Sequence, residues 1–517
     1  MDLAIKIVLL AVFFGVMTGI GLYCRRHATD VSGFVLGGRS VGPWLTAFAY
    51  GTSYFSAVVF VGYAGQFGWK YGVAATWAGL GNAFLGSLLA WAVLGRRTRV
   101  MTQHLDSATM PEFFGKRFDS RALKLCASVI IFIFLIPYTA SLYNGLSRLF
   151  GMAFAIDYSV CVIVMAILTG VYVIAGGYMA TAINDFIQGI IMLAGIAAVI
   201  GAVLHTQGGF LAALEKLARV QGDSGVPGVY ASFFGPDPVN LLGVVLLTSL
   251  GTWGLPQMVQ KFYAIKSEAA ISKGTVISTV FALLVAGGCY FLGGFGRLYA
   301  DQIDIQANGY DSIIPVMLSG LPAILIAVVV ILVLSASMST LSSLVLASSS
   351  TLTLDFIKGN IIKDMDEKRQ VRWMRGLVVV FIAISVVLAL IQYKSSVTFI
   401  AQLMGVSWGA LAGAFLAPFL YGLYWKRTTK AACWVSFVFS AVFMLAVISP
   451  LKTALPPLLQ SPINAGAFCM IAGLVIVPAV SLFTRAPGEK RLEEIFSCYE
   501  RRVTVTVKDS IGEQNSH

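Results

Sequence analysis

Hydroxyls crowd one stretch of otherwise apolar chain: residues 334–356, LSASMSTLSSLVLASSSTLTLDF, carry Ser335, Ser337, Ser339, Thr340, Ser342 and Ser343. Ala336, Ser339, Thr340 and Ser343 recur at i, i+3, i+4 and i+7, so a helix would present them to one neighbour as a single stripe. Neutral oxygens clustered at depth suit a hard cation such as Na⁺, whose kin Ca²⁺ and Mg²⁺ also take oxygen ligands. The same hydroxyls also serve a helix by bonding its own i−4 carbonyls or by gluing it to a neighbour. A second polar interruption weighs toward the cation. Residues 47–68, AFAYGTSYFSAVVFVGYAGQFG, are long enough to cross a bilayer, yet they place Gly51, Thr52, Ser53 and Ser56 mid-span. A gap in helical hydrogen bonding there would free carbonyl oxygens that lipid cannot satisfy, which is how transporters build cation and solute sites at the membrane midplane. Taken alone, these small residues equally describe a close helix-packing face.

Asp185, in AINDFIQ, is almost the only carboxylate that falls inside an apolar segment. A deep acid pairs with a cation, whereas one at the interface is a helix N-terminal acid favoured by the dipole. Arg39, in LGGRSVGPW, precedes the polar interruption in a turn-rich entry, where it either guards a vestibule or follows the charge bias of one membrane face. His27, His104, His205 and His517 are too dispersed for a metal site or proton relay, and no Ser/His/Asp or Cys/His arrangement emerges. The chain has no GxxxxGK[ST] run, which argues against an ATP-driven pump.

The elements that would position these residues are membrane spans. Of the 517 residues, 58% are hydrophobic and 12% charged, against about 25% charged in soluble domains. This is a polytopic membrane protein, with the lipid bilayer as its partner. Hydropathy sets about thirteen spans, near 3–23, 45–66, 73–95, 125–149, 157–179, 183–205, 241–260, 274–297, 320–350, 376–392, 396–424, 431–450 and 463–484. Sorting the connections places 28 of the 36 Lys and Arg on one side, Lys261, Lys266 and Lys273 among them. The positive-inside rule then puts the N-terminus outside and the C-terminus in the cytoplasm. The net charge of +12 therefore tracks one membrane face and not nucleic acid. Seven scattered cysteines read as small buried hydrophobes. The first span reads as retained and not as a signal peptide. The transporter domain is expected over 1–485, and 486–517 as a partly disordered cytoplasmic tail.

With FVLGGRSVGPWLTAFAYGTSYFSA, TMPEFFGKRF, IAGGYMATAINDFIQG, GLPQMVQKF and LSASMSTLSS in matching order, the chain resembles the sodium/solute symporter family. The resemblance implies an all-α, LeuT-type fold of two inverted five-helix repeats, about 45–205 and 241–424, with one helix before and two after. It implies a main Na⁺ site of backbone carbonyls at Thr52, Phe55 and Ala336 and hydroxyls at Ser339 and Thr340. Some members, sialic acid carriers included, have a second Na⁺ site whose pattern maps to Asp185, Ser339, Ser342 and Ser343. Around 54–57, 70–72 and 254–256 the chain looks more like sodium/pantothenate carriers. Sodium/proline carriers have aromatic residues on the seventh span where this chain has Thr248 and Thr252, and an Asp where it has Tyr54. Candidate solute contacts are Ser53, Ser56, Tyr138, Asn144, Thr252, Trp253 and Gln402. The expected activity is sodium-coupled import of a small organic solute by alternating access in the cell membrane, not enzymatic catalysis. That solute would be carboxylate-bearing and pantothenate-, amino-acid- or organic-acid-like. Alternatives on the same fold are a proton-coupled carrier, which needs buried titratable groups on its path, and a channel-like or sensor protein.

Overall fold

The computed structural model describes residues 2–500 except 155–156, 222–224, 359, 363 and 396–399. Apolar chain without water must satisfy its backbone internally, and here it does so as helix. Among the described residues, strand-like pairing is limited to two isolated bridges, Val41–Ile265 and Lys358–Ile362. The principal helices in chain order are α1 Asp2–Cys24, α2 Pro43–Tyr54, α3 Val58–His104, α4 Arg121–Phe154, α5 Tyr158–Thr206, α6 Pro238–Gly254 and α7 Pro256–Ala264. They continue with α8 Glu268–Gly293, α9 Ala323–Thr351, α10 Glu367–Ser395, α11 Ile400–Tyr424, α12 Lys430–Ile448, α13 Pro462–Phe483 and α14 Glu489–Phe496.

Among the described residues, ten helices are long and apolar enough to cross a membrane, or eleven when α6 and α7 count as one bent span. The expected thirteen is not reproduced by that measure, and two glycines supply the physical reason. α3 has 47 residues and α5 has 49, each more than twice the roughly 20 that a span needs. Gly72 (φ 64°, ψ −144°) interrupts the first and Gly177 (φ 56°, ψ −148°) the second, with backbone that glycine adopts readily. Gly72 falls between the expected spans 45–66 and 73–95, and Gly177 falls near the end of the expected span 157–179. Ile7, Val12, Ile167, Val387, Val475 and Leu482 form part of an exposed apolar exterior suited to lipid, while α9 is buried continuously from Leu332 to Thr351. Its hydroxyls therefore face protein.

One backbone fracture occurs twice. α2 ends at Phe55, which turns extended (φ −77°, ψ 122°) and donates its N–H to Gly51 O at 3.2 Å. Two hundred residues later α6 ends at Leu255 (φ −76°, ψ 125°), whose N–H reaches Gly251 O at 3.2 Å. α7 then departs at 45°. Each fracture follows a Gly-Thr pair, and a Cβ on either glycine would stand 2.3 Å from an aromatic carbon, of Phe281 at Gly51 and of Trp408 at Gly251. A broken first helix in each half is the mark of a repeat transporter, and the two breaks here fall at Phe55 and Leu255.

The entry to α2 is fixed by three consecutive left-handed residues, Gly37, Gly38 and Arg39. Arg39 donates to Tyr263 O at 3.1 Å, Thr102 O at 3.3 Å and Ser107 O at 2.7 Å, and burial pushes its guanidinium below the usual value. Arg39 is thus a clamp joining the start of α2 to the end of α7, reinforced by Lys266 N–H to Val41 O at 2.9 Å. Beyond α13, the tail's α14 buries Leu492, Ile495 and Phe496, with the Arg117 guanidinium 5.0 Å from the Phe496 ring. Residues 501–517 of the tail lie outside the described residues.

Candidate functional site

The two polar interruptions meet. Ser339 Oγ donates to Thr52 O at 3.0 Å and sits 3.0 Å from Ala336 O. Thr340 Oγ1 lies 3.1 Å from Thr52 O, 3.3 Å from Phe55 O and 3.1 Å from Ala336 O. Thr52 and Phe55 expose carbonyls because helical bonding lapses after Tyr54, and Ala336 presents its carbonyl because Ser339 and Thr340 follow it on the same stripe. All five residues are at most 1% exposed. Three carbonyls and two hydroxyls thus surround one point, with Ser337 Oγ accepting the Ala57 N–H at 3.3 Å where the helix resumes.

The second group of residues is arranged differently. Ser342 Oγ donates to Ser339 O at 2.9 Å, and Ser343 Oγ pairs with Ser53 Oγ at 3.0 Å. Across from them stands Asp185, fully buried, with neither carboxylate oxygen hydrogen-bonded. The cation facing it is Lys261, whose Nζ lies 4.0 Å from Asp185 Oδ2 and donates to Ser343 Oγ at 3.0 Å. Lys261 is 2% exposed, so its assignment to a cytoplasmic loop is corrected: the bend at Leu255 turns α7 inward and takes the lysine into the core. Asp355 is a further carboxylate inside the protein, fully buried with Lys124 Nζ at 3.2 Å and Thr109 Oγ1 at 2.6 Å.

Of the candidate solute contacts, Ser56 and Tyr138 come together. The Tyr138 hydroxyl faces both the Ser56 hydroxyl and the Trp408 indole, and the polar atoms of all three are buried without a well-formed hydrogen bond. Beside them Tyr54 OH meets Tyr290 OH at 3.0 Å, and Asn82 Nδ2 donates to Tyr54 OH at 2.7 Å and to Thr248 Oγ1 at 3.1 Å. The others are engaged elsewhere. Thr252 donates to Gly86 O at 2.8 Å and Trp253 Nε1 to Leu85 O at 2.9 Å, both on α3, while Asn144 accepts from Tyr158 OH. Ser53 donates to Ala49 O at 2.6 Å, and Gln402 is half-buried at the start of α11. Trp408, Asn82 and Tyr290 were missed from sequence because each lies in an apolar run that reads as packing.

Two cavities of about 500 Å³ open elsewhere in the protein. One is lined by Lys70, Tyr71, Tyr230, Asp237 and Arg297, the other by Arg39, Asp106, Glu112, Lys124 and Lys358. None of the five converging residues lines either, and all five are buried.

This architecture has known relatives. The profile of the sodium:solute symporter family matches residues 34–438. The chain is 30% identical over 496 residues to a sodium/proline symporter of Staphylococcus aureus, covering 93% of each chain. It is 28% identical over 488 residues to the osmoregulated proline transporter OpuE of Bacillus subtilis, covering 93% of this chain and 96% of that one. Among solved structures, a Na⁺-coupled sialic acid symporter in its substrate-bound outward-open state superposes with TM-score 0.73 at 15% identity, covering 93% of this chain and 98% of that chain. The inward-facing conformation of Mhp1 gives 0.51 at 13% identity, covering 90% and 96%. The fold is thus the LeuT-type fold expected from sequence. Broken helices, buried carbonyls and hydroxyls at one point, and a family match over most of the length lead to one conclusion: the chain belongs to the sodium:solute symporter family, and is a multi-pass membrane transporter coupling sodium to a small solute, not an enzyme.

Proposed function

We propose that the chain imports a small carboxylate-bearing solute with Na⁺ held by the carbonyls of Thr52, Phe55 and Ala336 and the hydroxyls of Ser339 and Thr340. The observation that carries this reading is the convergence of those five oxygens on one point in a water-excluded core. The donor set fits the ion: it is all oxygen, uncharged, and includes two hydroxyls that can turn their lone pairs inward. A bound Na⁺ supplies positive charge that ties the fracture of α2 to α9. The solute lies against Ser56, Tyr138 and Trp408, with Tyr54 and Asn82 closing the far side. Its carboxylate meets the half-helix beginning at Ala57, whose N-terminal dipole end favours an anion. The cavity lined by Lys70 and Arg297 would serve as the solute's entry, and its two bases outnumber Asp237 there, which gives an anionic solute an attractive approach.

The relatives' proline, the pantothenate-like segments and the structural neighbour's sialic acid share a carboxylate, which sets the panel. Proteoliposomes offered labelled proline, pantothenate or sialic acid should accumulate one of them only under an inward Na⁺ gradient. Failure with all three rejects the carboxylate class. The buried Asp185–Lys261 pair favours a second reading, proton coupling, and accumulation driven by a proton gradient in Na⁺-free buffer would establish it instead.

Orientation gives a further prediction. With the N-terminus outside and the C-terminus in the cytoplasm, Asp301→Cys, at an exposed position, should react with a membrane-impermeant maleimide on intact cells. Arg372→Cys, also exposed, should react only after permeabilisation. The reverse pattern inverts the topology.

A further inference from the structure

We infer that the ammonium of Lys261 takes the place of a second Na⁺ at Asp185, Ser342 and Ser343, so that the transporter carries one Na⁺ per cycle. This rests on the main-site reading above and concerns the neighbouring group of residues. The sequence pattern supplies a carboxylate and hydroxyls for a second ion, but the structure already places a cation among them. Lys261 Nζ hydrogen-bonds Ser343 Oγ at 3.0 Å, stands 4.0 Å from Asp185 Oδ2 and lies 5.1 Å from the centre of the Tyr178 ring. Ser342 donates its hydroxyl to Ser339 O at 2.9 Å, along its own helix.

Charge decides between the occupants. Asp185 and Lys261, fully buried and 2% exposed respectively, balance to zero in a core that excludes water. A Na⁺ added beside Asp185 would stand next to the ammonium, and repulsion between two cations at about 4 Å weakens its binding on the order of a thousandfold at a protein-like dielectric. The lysine is not placed there by accident of a loop, because the fracture at Leu255 and the Arg39 clamp on Tyr263 O fix α7 at both ends. One consequence concerns the solute. At a potential of about 100 mV and a roughly tenfold Na⁺ gradient, one ion concentrates a zwitterion by roughly 500-fold but a monovalent anion by only roughly tenfold. A single-ion carrier thus works best with an amino-acid-like carboxylate.

Counting Na⁺ bound to purified full-length protein tests the inference without any solute, using ²²Na⁺ as the only probe in choline-balanced buffer. Wild type should bind one ion, Lys261→Arg one, Lys261→Met two, and Lys261→Met with Asp185→Asn one again. If Lys261→Met does not fold, Asp185→Asn in the native background decides: retention of one ion at unchanged affinity supports the inference, and loss of an ion overturns it. Two ions in wild type overturn it by showing that a second Na⁺ binds despite Lys261, and one in folded Lys261→Met overturns it by leaving the pair as a purely structural contact. No ion in wild type overturns the sodium site itself, a distinguishable failure.

Discussion

Ser339→Ala and Thr340→Ala are each expected to raise the Na⁺ concentration for half-maximal uptake by about tenfold to about 150-fold, and the double variant to abolish Na⁺ stimulation. The range follows from losing one hydrogen-bond-strength contact to a charge in a desolvated site, about 1.5–3 kcal/mol. It has that size because neither water nor lipid reaches the point where Thr52 O and Ala336 O converge on these hydroxyls. A competing role is visible in the same geometry, since both hydroxyls also bond back within α9 to Ala336 O. Ser349 separates the two. Its Oγ bonds only along its own helix, to Leu346 O at 3.2 Å, and Ser349→Ala should leave the Na⁺ curve unchanged. If Ser339→Ala and Thr340→Ala lower thermal stability while their Na⁺ curves stay at wild type, the hydroxyls are helix glue and the cation site lies elsewhere.

The stripe at 336, 339, 340 and 343 was legible because helical periodicity alone sets which side chains share a face, and the structure keeps that face intact. The fracture at Phe55 was legible for a related reason: Gly51, Thr52 and Ser53 are poor residues for lipid, so their place mid-span required protein around them. What the sequence hid was depth and distance. Lys261 counts as a loop base when charges are tallied along the chain, because nothing in QMVQKF shows that Leu255 bends the helix and carries the amine to Ser343. Gly177 hid as an ordinary span residue, although its positive φ interrupts one of the longest helices, whereas Gly72 fell in an expected connection that the structure makes a break within one long helix. The matched fractures at Phe55 and Leu255 escaped periodicity as well, since two Gly-Thr pairs separated by two hundred residues become a repeat only when their dihedrals agree. Trp408 sits in GVSWGALAG, a run that reads as close packing, and only the contact of its ring with Tyr138, centroids 6.0 Å apart, brings it to the site.

Gly68→Ala should prevent α3 and α8 from assembling, with the monodisperse fraction on size exclusion falling to background. A Cβ at Gly68 would stand 1.9 Å from Gly293 O and 2.1 Å from Gly293 C, and one at Gly293 would stand 2.1 Å from Ala64 O. These are backbone atoms of two packed helices, so no rotamer change relieves the overlap. A second approach lies further along the same pair, where a Cβ at Gly79 would come 2.4 Å from Gly287 Cα. Overpacking a core with one methylene costs about 1–3 kcal/mol when side chains can yield. Here whole helices must separate, so the cost exceeds that range and takes a large share of a stability of about 5–15 kcal/mol. The damage would reach the cavity lined by Lys70 and Arg297, because Phe67 and Tyr71, on either side of Gly68, line it too. Gly15→Ala and Gly19→Ala in α1 make the comparison, since a Cβ at either meets nothing within 4 Å. Those two should match wild type in yield and thermal midpoint. A Gly68→Ala protein that elutes and melts like them would mean that α3 and α8 do not touch backbone to backbone, and the cavity beside them would have to be redrawn.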